Sequence, residues 1–298
     1  MDINFDLFRI FCEVVGTGNF TKAAEKLYVS QSAVSQAIKQ LEDKIGGALF
    51  NRSVRGVALT AEGEMLYSYT SKAVALIENA QTKFASMKGL RDGEIKIGAS
   101  DTACGLFLLP HLSKFNTEYP EIYISVTNRT TRELIELLKN GSVDMSFINL
   151  PAEIDPTLNV KPVMEIHDCF VTGAKYAYLA ESALHLRELR KYPILMLEKG
   201  SNSRQQMEKF LASYGVGITP AIELGSLNML SEFAKIGLGI AATIREDVQK
   251  QIESGELYEL RFFEQLPVRH IGLAEMKNVS LSFAAQAFKG TVLSSAKL

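Results

Sequence analysis

In the stretch YVSQSAVSQAIKQLEDKIG, Tyr28 to Gly46, side chains fall into two stripes at helical spacing. Val34, Ile38, Leu41 and Ile45 form an apolar stripe that calls for a core. Ser32, Ser35, Gln36 and Lys39 lie opposite, where a merely solvated face would carry more Glu and Lys. Hydroxyls, amides and amines match the donors and acceptors that base edges present in the major groove of DNA, and short side chains permit close approach. The chemistry suggested is hydrogen-bonded readout. A second group of polar residues clusters in "SDTACG", "NRTTRE" and "EKGSNSRQQ": Ser100, Thr102, Thr130, Thr131, Ser201, Asn202 and Ser203, with Arg129, Arg132 and Arg204 beside them. Donors of this kind at helix starts suit a small anion, although Ser, Thr and Asn also cap helices in any protein.

The first set needs a small helical module to hold it. Phe5, Phe8, Ile10, Phe11, Val14 and Val15 predict an amphipathic helix that stops at "GTGN". Thr21 is expected to cap a second helix, "KAAEKL", whose alanines allow close packing. Tyr28–Val29 makes a tight connection to Ser30, which caps the polar-faced helix, and Gly46 and Gly47 end it. Two helices joined this closely predict a helix-turn-helix. "ALFNRSVRGVALT" then alternates apolar and polar residues around Arg52, Arg55 and Gly56, predicting a two-stranded wing with a basic tip. From Lys22 to Arg55 there are six basic and three acidic residues, a local excess of +3 in a chain whose net charge is −2. That placement fits contact with phosphates.

Thr60 is expected to cap a long helix from Ala61. Leu66, Tyr69, Ala73, Leu76 and Ala80 recur at heptad spacing, and Phe84 and Met87 continue the row with a slip. Such a seam favours pairing of two copies, which would present two reading helices to two half-sites. From Gly93 strands alternate with helices: "EIKIGAS", "EIYISVTN" and "VDMSFINL" in a first set, then "VMEIHDCFVTG", "YPILMLEKG", "PAIELGS" and "LGIAAT", and finally "VRHIGLAEM". This predicts mostly parallel α/β lobes with two chain crossings, near Pro162 and Pro267, and a ligand cleft at the carboxyl ends of the strands. The expected organisation is 1–60 for the winged helix-turn-helix, 61–90 for the dimerisation helix, 91–162 with 267–298 for lobe I, and 163–266 for lobe II.

Other function classes find little support. "GLGIAA", Gly237 to Ala242, fits a dinucleotide-binding pattern in letters but reads as a strand following a helix, the reverse of the required order. Neither a phosphate-binding P-loop motif nor a nucleophile-elbow motif occurs, so no catalytic residue is assigned. The three cysteines and four histidines are scattered without metal-ligand spacing, so neither a metal nor a cofactor is expected. The start "MDINFDLFRIF" lacks a basic region before an apolar run, and no apolar run reaches membrane-spanning length. A cytoplasmic protein with no membrane partner is the expectation. A rival reading is thiol-based redox sensing through Cys104 and Cys169.

Together, "FTKAAEKLYVSQSAVSQAIKQLEDKIGGALFNR", "RGVALTAEG" and the order of the lobes resemble the LysR-type transcriptional regulators. The resemblance implies an α/β protein with an all-α-type N-terminal winged helix-turn-helix, and an effector domain of two α/β lobes like type-2 periplasmic binding proteins. It implies dimers or tetramers that bind an interrupted palindrome in promoter DNA, answer to a small-molecule effector such as a carboxylate, and have RNA polymerase as a candidate partner. On this pattern Gln31, Ser32, Ser35, Gln36 and Lys39 face DNA, Arg52 and Arg55 lie in or beside the wing, and Thr21 and Ser30 complete the DNA-binding set. Effector contacts fall on Ser100–Thr102, Thr130–Thr131, Asn149 and Ser201–Ser203. The chain departs from the family where many members carry proline: it has Ser32 in the reading helix and Ile244 in "GIAATI".

Overall fold

The computed structural model describes residues 3–53, 56–86 and 93–295, and the chain divides into two compact units. In the first, helices α1 (Phe5–Thr17), α2 (Phe20–Leu27) and α3 (Gln31–Ile45) precede a hairpin of β1 (Phe50–Ser53) and β2 (Gly56–Leu59), and α4 (Ala61–Ser86) follows. The apolar stripes meet in one core: Phe11, Val14, Ala23, Val34, Ile38, Leu41 and Leu49 are buried. The Phe11 ring lies 5.5 Å from that of Phe50 and 6.3 Å from Tyr67, tying helix, wing and α4 together. Ile45 is only half-buried at the end of its stripe.

Local chemistry sets the ends of these helices. Asn19, not Thr21, caps α2: its Oδ1 accepts from the Thr21 and Lys22 amides at 2.8 and 3.1 Å. Thr21 therefore sits inside the first turn. Ser30 caps α3 by accepting from the Ala33 amide at 3.2 Å, and Gly46 closes it at φ +83°, a conformation that favours glycine. Thr60 Oγ1 accepts from the Gly63 amide at 3.0 Å and donates to Ala48 O at 2.8 Å. A Cβ at Gly63 would lie 2.2 Å from Leu49 O, so only glycine lets α4 start this close to the wing.

α4 has two characters. Val74 and Thr70 are buried and Leu66 is half-buried, whereas Tyr69, Leu76 and Phe84 are 71, 45 and 74% exposed. Met87 lies outside the described residues.

The second unit starts with β3 (Glu94–Ala99). A helical run from α5 (Asp101–Ala103) passes through a π turn (Cys104–Leu108) into α6 (Leu109–Glu118). Pro110 has no amide to give to the preceding turn, and the wider turn accommodates that loss. β4 (Tyr123–Asn128), α7 (Thr131–Lys139) and β5 (Met145–Leu150) complete a parallel β-α-β-α-β set. β6 (Leu158–Thr172) leads to two 3-10 helices, Ala174–Ala180 and Leu186–Lys191. Then come β7 (Ile194–Leu197), α8 (Asn202–Ser213), β8 (Ile222–Leu224), α9 (Leu227–Lys235), β9 (Ile240–Ile244), α10 (Arg245–Glu253), β10 (Tyr258–Glu259), β11 (Val268–Met276) and α11 (Phe283–Ser295). Gly237–Ala242 runs from the end of α9 into strand β9, opening no helix. α10 escaped the sequence reading because "REDVQKQIE" is almost wholly polar and buries only Val248.

One sheet holds both lobes in the order β4-β3-β5-β11-β6-β9-β7-β8, with β10 on β6. The long strand β6 pairs with β11 as far as His167↔Val268 and with β9 from Asp168↔Ile244. The crossing thus lies at Asp168, beyond Pro162, which instead sits at a register shift inside the β6–β11 ladder. The return crossing is at Pro267, whose carbonyl accepts from the Asp168 amide at 3.3 Å. Here Arg269 grips Asp168 with two bonds, Nε–Oδ2 at 2.8 Å and Nη2–Oδ1 at 2.5 Å, both residues being buried. Burial pushes the Asp168 carboxyl up, and the guanidinium opposes that shift.

Removing one partner of a buried pair leaves an uncompensated charge, which costs about 3–5 kcal/mol. Arg269→Met is therefore expected to lower the unfolding transition of the second unit by that amount in urea titrations of the full chain, and adding Asp168→Leu should recover most of it. A single variant as stable as the parent would show that the pair does not hold the crossing.

Candidate functional site

α3 and the turn before it carry most of the DNA-facing set. Gln31, Ser32, Gln36 and Lys39 are exposed on α3, with Ser30 at its cap; Ser35 is half-buried and accepts from Gln31 Nε2 at 2.9 Å. The Ser30 and Ser32 hydroxyls are 2.9 Å apart, so this helix start presents oxygens as well as free amides. Thr21 is exposed on α2. Lys26 is paired with Glu13 at 2.8 Å, whereas Lys22 on α2 and Lys39 on α3 are exposed. Arg52 falls on β1 opposite Val57; Arg55 lies outside the described residues. Sequence reading passed over Tyr28, which sits at φ +56° in the helix-turn-helix connection and is 95% exposed. Its signal was the shortness of the Leu27–Ser30 link, which demands a left-handed residue.

In the second unit, nine residues expected from the sequence line one cavity of about 220 Å³: Ser100, Asp101, Thr102, Thr130, Thr131, Asn149, Ser201, Asn202 and Ser203. Each is placed by its element. Ser100 ends β3 and caps α5, accepting from the Ala103 amide at 3.2 Å. Thr131 opens α7, and its Oγ1 accepts from the Asn149 amide at 3.3 Å. Ser201 caps α8, accepting from the Arg204 amide at 3.0 Å. Asn149 sits at the centre: Oδ1 accepts from Ser100 at 3.4 Å, and Nδ2 donates to Thr102 and Ser203, both at 3.4 Å. The last bond joins the lobes, as do those from Asn202 and Gln206 to the Pro151 carbonyl at 3.0 and 3.2 Å.

Of the nearby arginines only Arg129 lines the cavity. Arg204 is buried, bonding the Leu197 carbonyl at 2.7 Å and Glu208 at 2.7 Å. Arg132 is exposed outside the lining. Glu133 and Glu198, which the sequence reading left out, also line the cavity. Glu133 accepts from the Thr130 amide and hydroxyl at 2.9 and 2.7 Å, which holds its carboxyl below the ordinary value. Glu at the third position after Thr130 could have been recognised as a capping pair.

The cysteines do not resemble reactive thiols. Burial raises Cys104, with Asp101 adding to the shift, and raises fully buried Cys169 well above its ordinary value; Cys12 is raised by burial too. Among the described residues no group of three His, Cys, Asp or Glu side chains is arranged to hold a metal, and no helix is long and apolar enough to cross a membrane.

Comparison with known proteins bears on both units. A probable RuBisCO transcriptional regulator of Cyanophora paradoxa is 28% identical over 299 residues, covering 98% of this chain and 92% of the relative. A variant of full-length OxyR from Pseudomonas aeruginosa superposes with a TM-score of 0.70 at 22% identity, covering 100% of this chain and 96% of its own. The regulatory domain of CcmR from Synechocystis, in complex with 2-PG, superposes with a TM-score of 0.63 at 21% identity, covering 69% of this chain and 98% of its own. Residues 5–64 match the model of the bacterial regulatory helix-turn-helix proteins of the lysR family, and residues 88–297 match that of the LysR substrate binding domain. The unit that carries the polar-faced helix and the unit that carries the cavity are thus both accounted for, and the chain belongs to the LysR family of DNA-binding transcriptional regulators.

Proposed function

We propose that this regulator reads its promoter through Gln36 and Ser35, grips phosphates through Lys39 and Arg52, and changes its grip when a small anionic metabolite occupies the cavity of the second unit. The observation that carries the effector half is the convergence of nine polar residues from both lobes on one 220 Å³ cavity. Its floor is hydroxyls, an amide and the starts of α7 and α8, which favour negative charge. CcmR, whose regulatory domain has this fold, is described in complex with 2-PG, which supports an anion here. The redox alternative is disfavoured because Cys104 and Cys169 are held as thiols by burial.

The chain works without catalysis, in the cytoplasm, and as a dimer or tetramer on an interrupted palindrome, with RNA polymerase as the partner downstream. Tyr69, Leu76 and Phe84 supply the pairing seam. Ser30, Gln31 and Ser32 position the reading helix, with Thr21 on α2 and Arg55 in the wing completing the contact.

Three outcomes are expected. Base contacts discriminate by about 1–3 kcal/mol each, so Gln36→Ala should flatten preference among operator variants while Arg52→Ala weakens all of them alike. Electrophoretic mobility shifts over an operator panel measure this, and an unchanged Gln36→Ala profile would move the reading face elsewhere. Leu76→Asp would bury a charge in the seam, so sedimentation should show a smaller species and operator binding should be lost; retention of the parent mass would relocate the interface. Ser100→Ala with Thr102→Ala should abolish the response to metabolite in a reporter assay and leave metabolite-free operator binding intact. A normal response would remove the cavity from the switch.

A further inference from the structure

The charges around the cavity narrow the kind of metabolite it takes. Its charged lining is Arg129 against Asp101, Glu133 and Glu198, a balance of 1 − 3 = −2. Glu133 is engaged by Thr130, and Arg129 Nη1 donates to the Asn128 carbonyl at 2.7 Å. That leaves the side-chain carboxylates of Asp101, following β3 in lobe I, and Glu198, following β7 in lobe II, with no hydrogen bond or ion pair among the described residues. The Glu198 carboxylate reaches over Gly225, where an added Cβ would lie 3.8 Å from Oε1. Beside Asp101, α10 contributes Asp247, whose buried Oδ2 has no partner. Burial, and after it the charge of Asp101, push that carboxyl up.

A ligand that is only anionic would satisfy the hydroxyl floor and meet a lining whose three carboxylates outnumber its one guanidinium. The unpaired carboxylates then lose hydration with no gain in return. A ligand bearing an amine as well satisfies both sides at once. At about 220 Å³ the cavity is also smaller than the roughly 300–1,000 Å³ typical of drug-sized sites, which limits the occupant to amino-acid dimensions.

We propose that the effector is zwitterionic, with its acidic group on the floor formed by Thr131, Asn149 and Ser203 and its ammonium between Asp101 and Glu198. The inference rests on the reading of this cavity as the effector site. It adds a demand for positive charge that the polar loops alone do not make.

Calorimetric titration of the full-length protein tests it with matched probes: glycine, 4-aminobutanoate and L-ornithine against acetate, succinate and phosphate. The zwitterions should bind at least tenfold tighter than the anions of similar size. Glu198→Gln, at an exposed position, should narrow that gap, and Asp101→Asn with Glu198→Gln should reverse it. Succinate or phosphate binding tighter than every zwitterion overturns the proposal and leaves the anion cavity standing, as does a ratio unchanged in both variants. Heat from none of the six probes overturns the cavity reading itself, and the proposal with it.

Discussion

Asp168 and Arg269 bring opposite charges into a place nearly closed to solvent, where the chain passes between the halves of its sheet. A lone charge there would be prohibitive, so each residue makes the other tolerable. The bidentate geometry leaves the guanidinium three further N–H donors, and one on Nη1 reaches Ser203 Oγ at 3.3 Å. Ser203 in turn accepts from Asn149. The fixed point of the fold is therefore one hydrogen bond from a residue that lines the cavity and two from the end of β5. Whatever moves the lobes must move them around this pair, because the β6–β11 ladder on one side and the β6–β9 ladder on the other both end at it.

The polar cavity follows from ordinary helix chemistry. Every helix leaves amides unpaired at its start, and the side chains that cap them are the same Ser, Thr and Asn that can hold a ligand. In this unit the parallel strands send their helices off from one edge of the sheet, so Ser100, Thr130 and Ser201 are capping residues first and cavity lining by position. The hydrogen bonds that Ser100, Thr102, Thr131 and Ser203 make with Asn149 lie at 3.3–3.4 Å, the long end of the range. Bonds of that length hold side chains in place while leaving them weakly committed. A ligand oxygen can compete for them without unfolding anything.

Periodicity and turn chemistry made most of the elements legible. α3, the wing and most of the parallel strands bury apolar residues that their patterns predicted, because one-sided burial leaves a strong periodic trace, whereas Ile45 and the edge strand β4 are only partly covered. Thr21 was misjudged as a cap because Asn19, two residues earlier, competes for the same amides with a better-placed oxygen. α10 left no trace because it covers the sheet with one buried side chain. The crossing was sought at Pro162, where the chain has a local irregularity, but it is set by Asp168 and Arg269, whose partnership spans 101 positions. In the cavity the neutral polar residues were legible from their place at strand ends. Glu198 was not, since nothing local separates a carboxylate that turns inward from one left in water; Glu133 was open to recognition only as the capping partner of Thr130.

A ligand can bias this regulator only by the difference in its affinity for two arrangements of the lobes. The hydrogen bonds between lobes at the cavity join Asn149 to Ser203, and Asn202 and Gln206 to one carbonyl of Pro151. Each is an exchange with water and contributes about 1 kcal/mol, so the arrangement they stabilise is not deeply favoured over one in which they are broken. The crossing differs in kind, with continuous ladders and a buried ion pair. That contrast between a firm pivot and a lightly held mouth lets a ligand of few atoms decide the balance. Because linkage is reciprocal, DNA that prefers one lobe arrangement must change effector affinity by the same factor that effector changes DNA affinity. The weaker the bonds at the mouth, the smaller the coupling needed to throw the switch, and the more the unliganded protein samples both states.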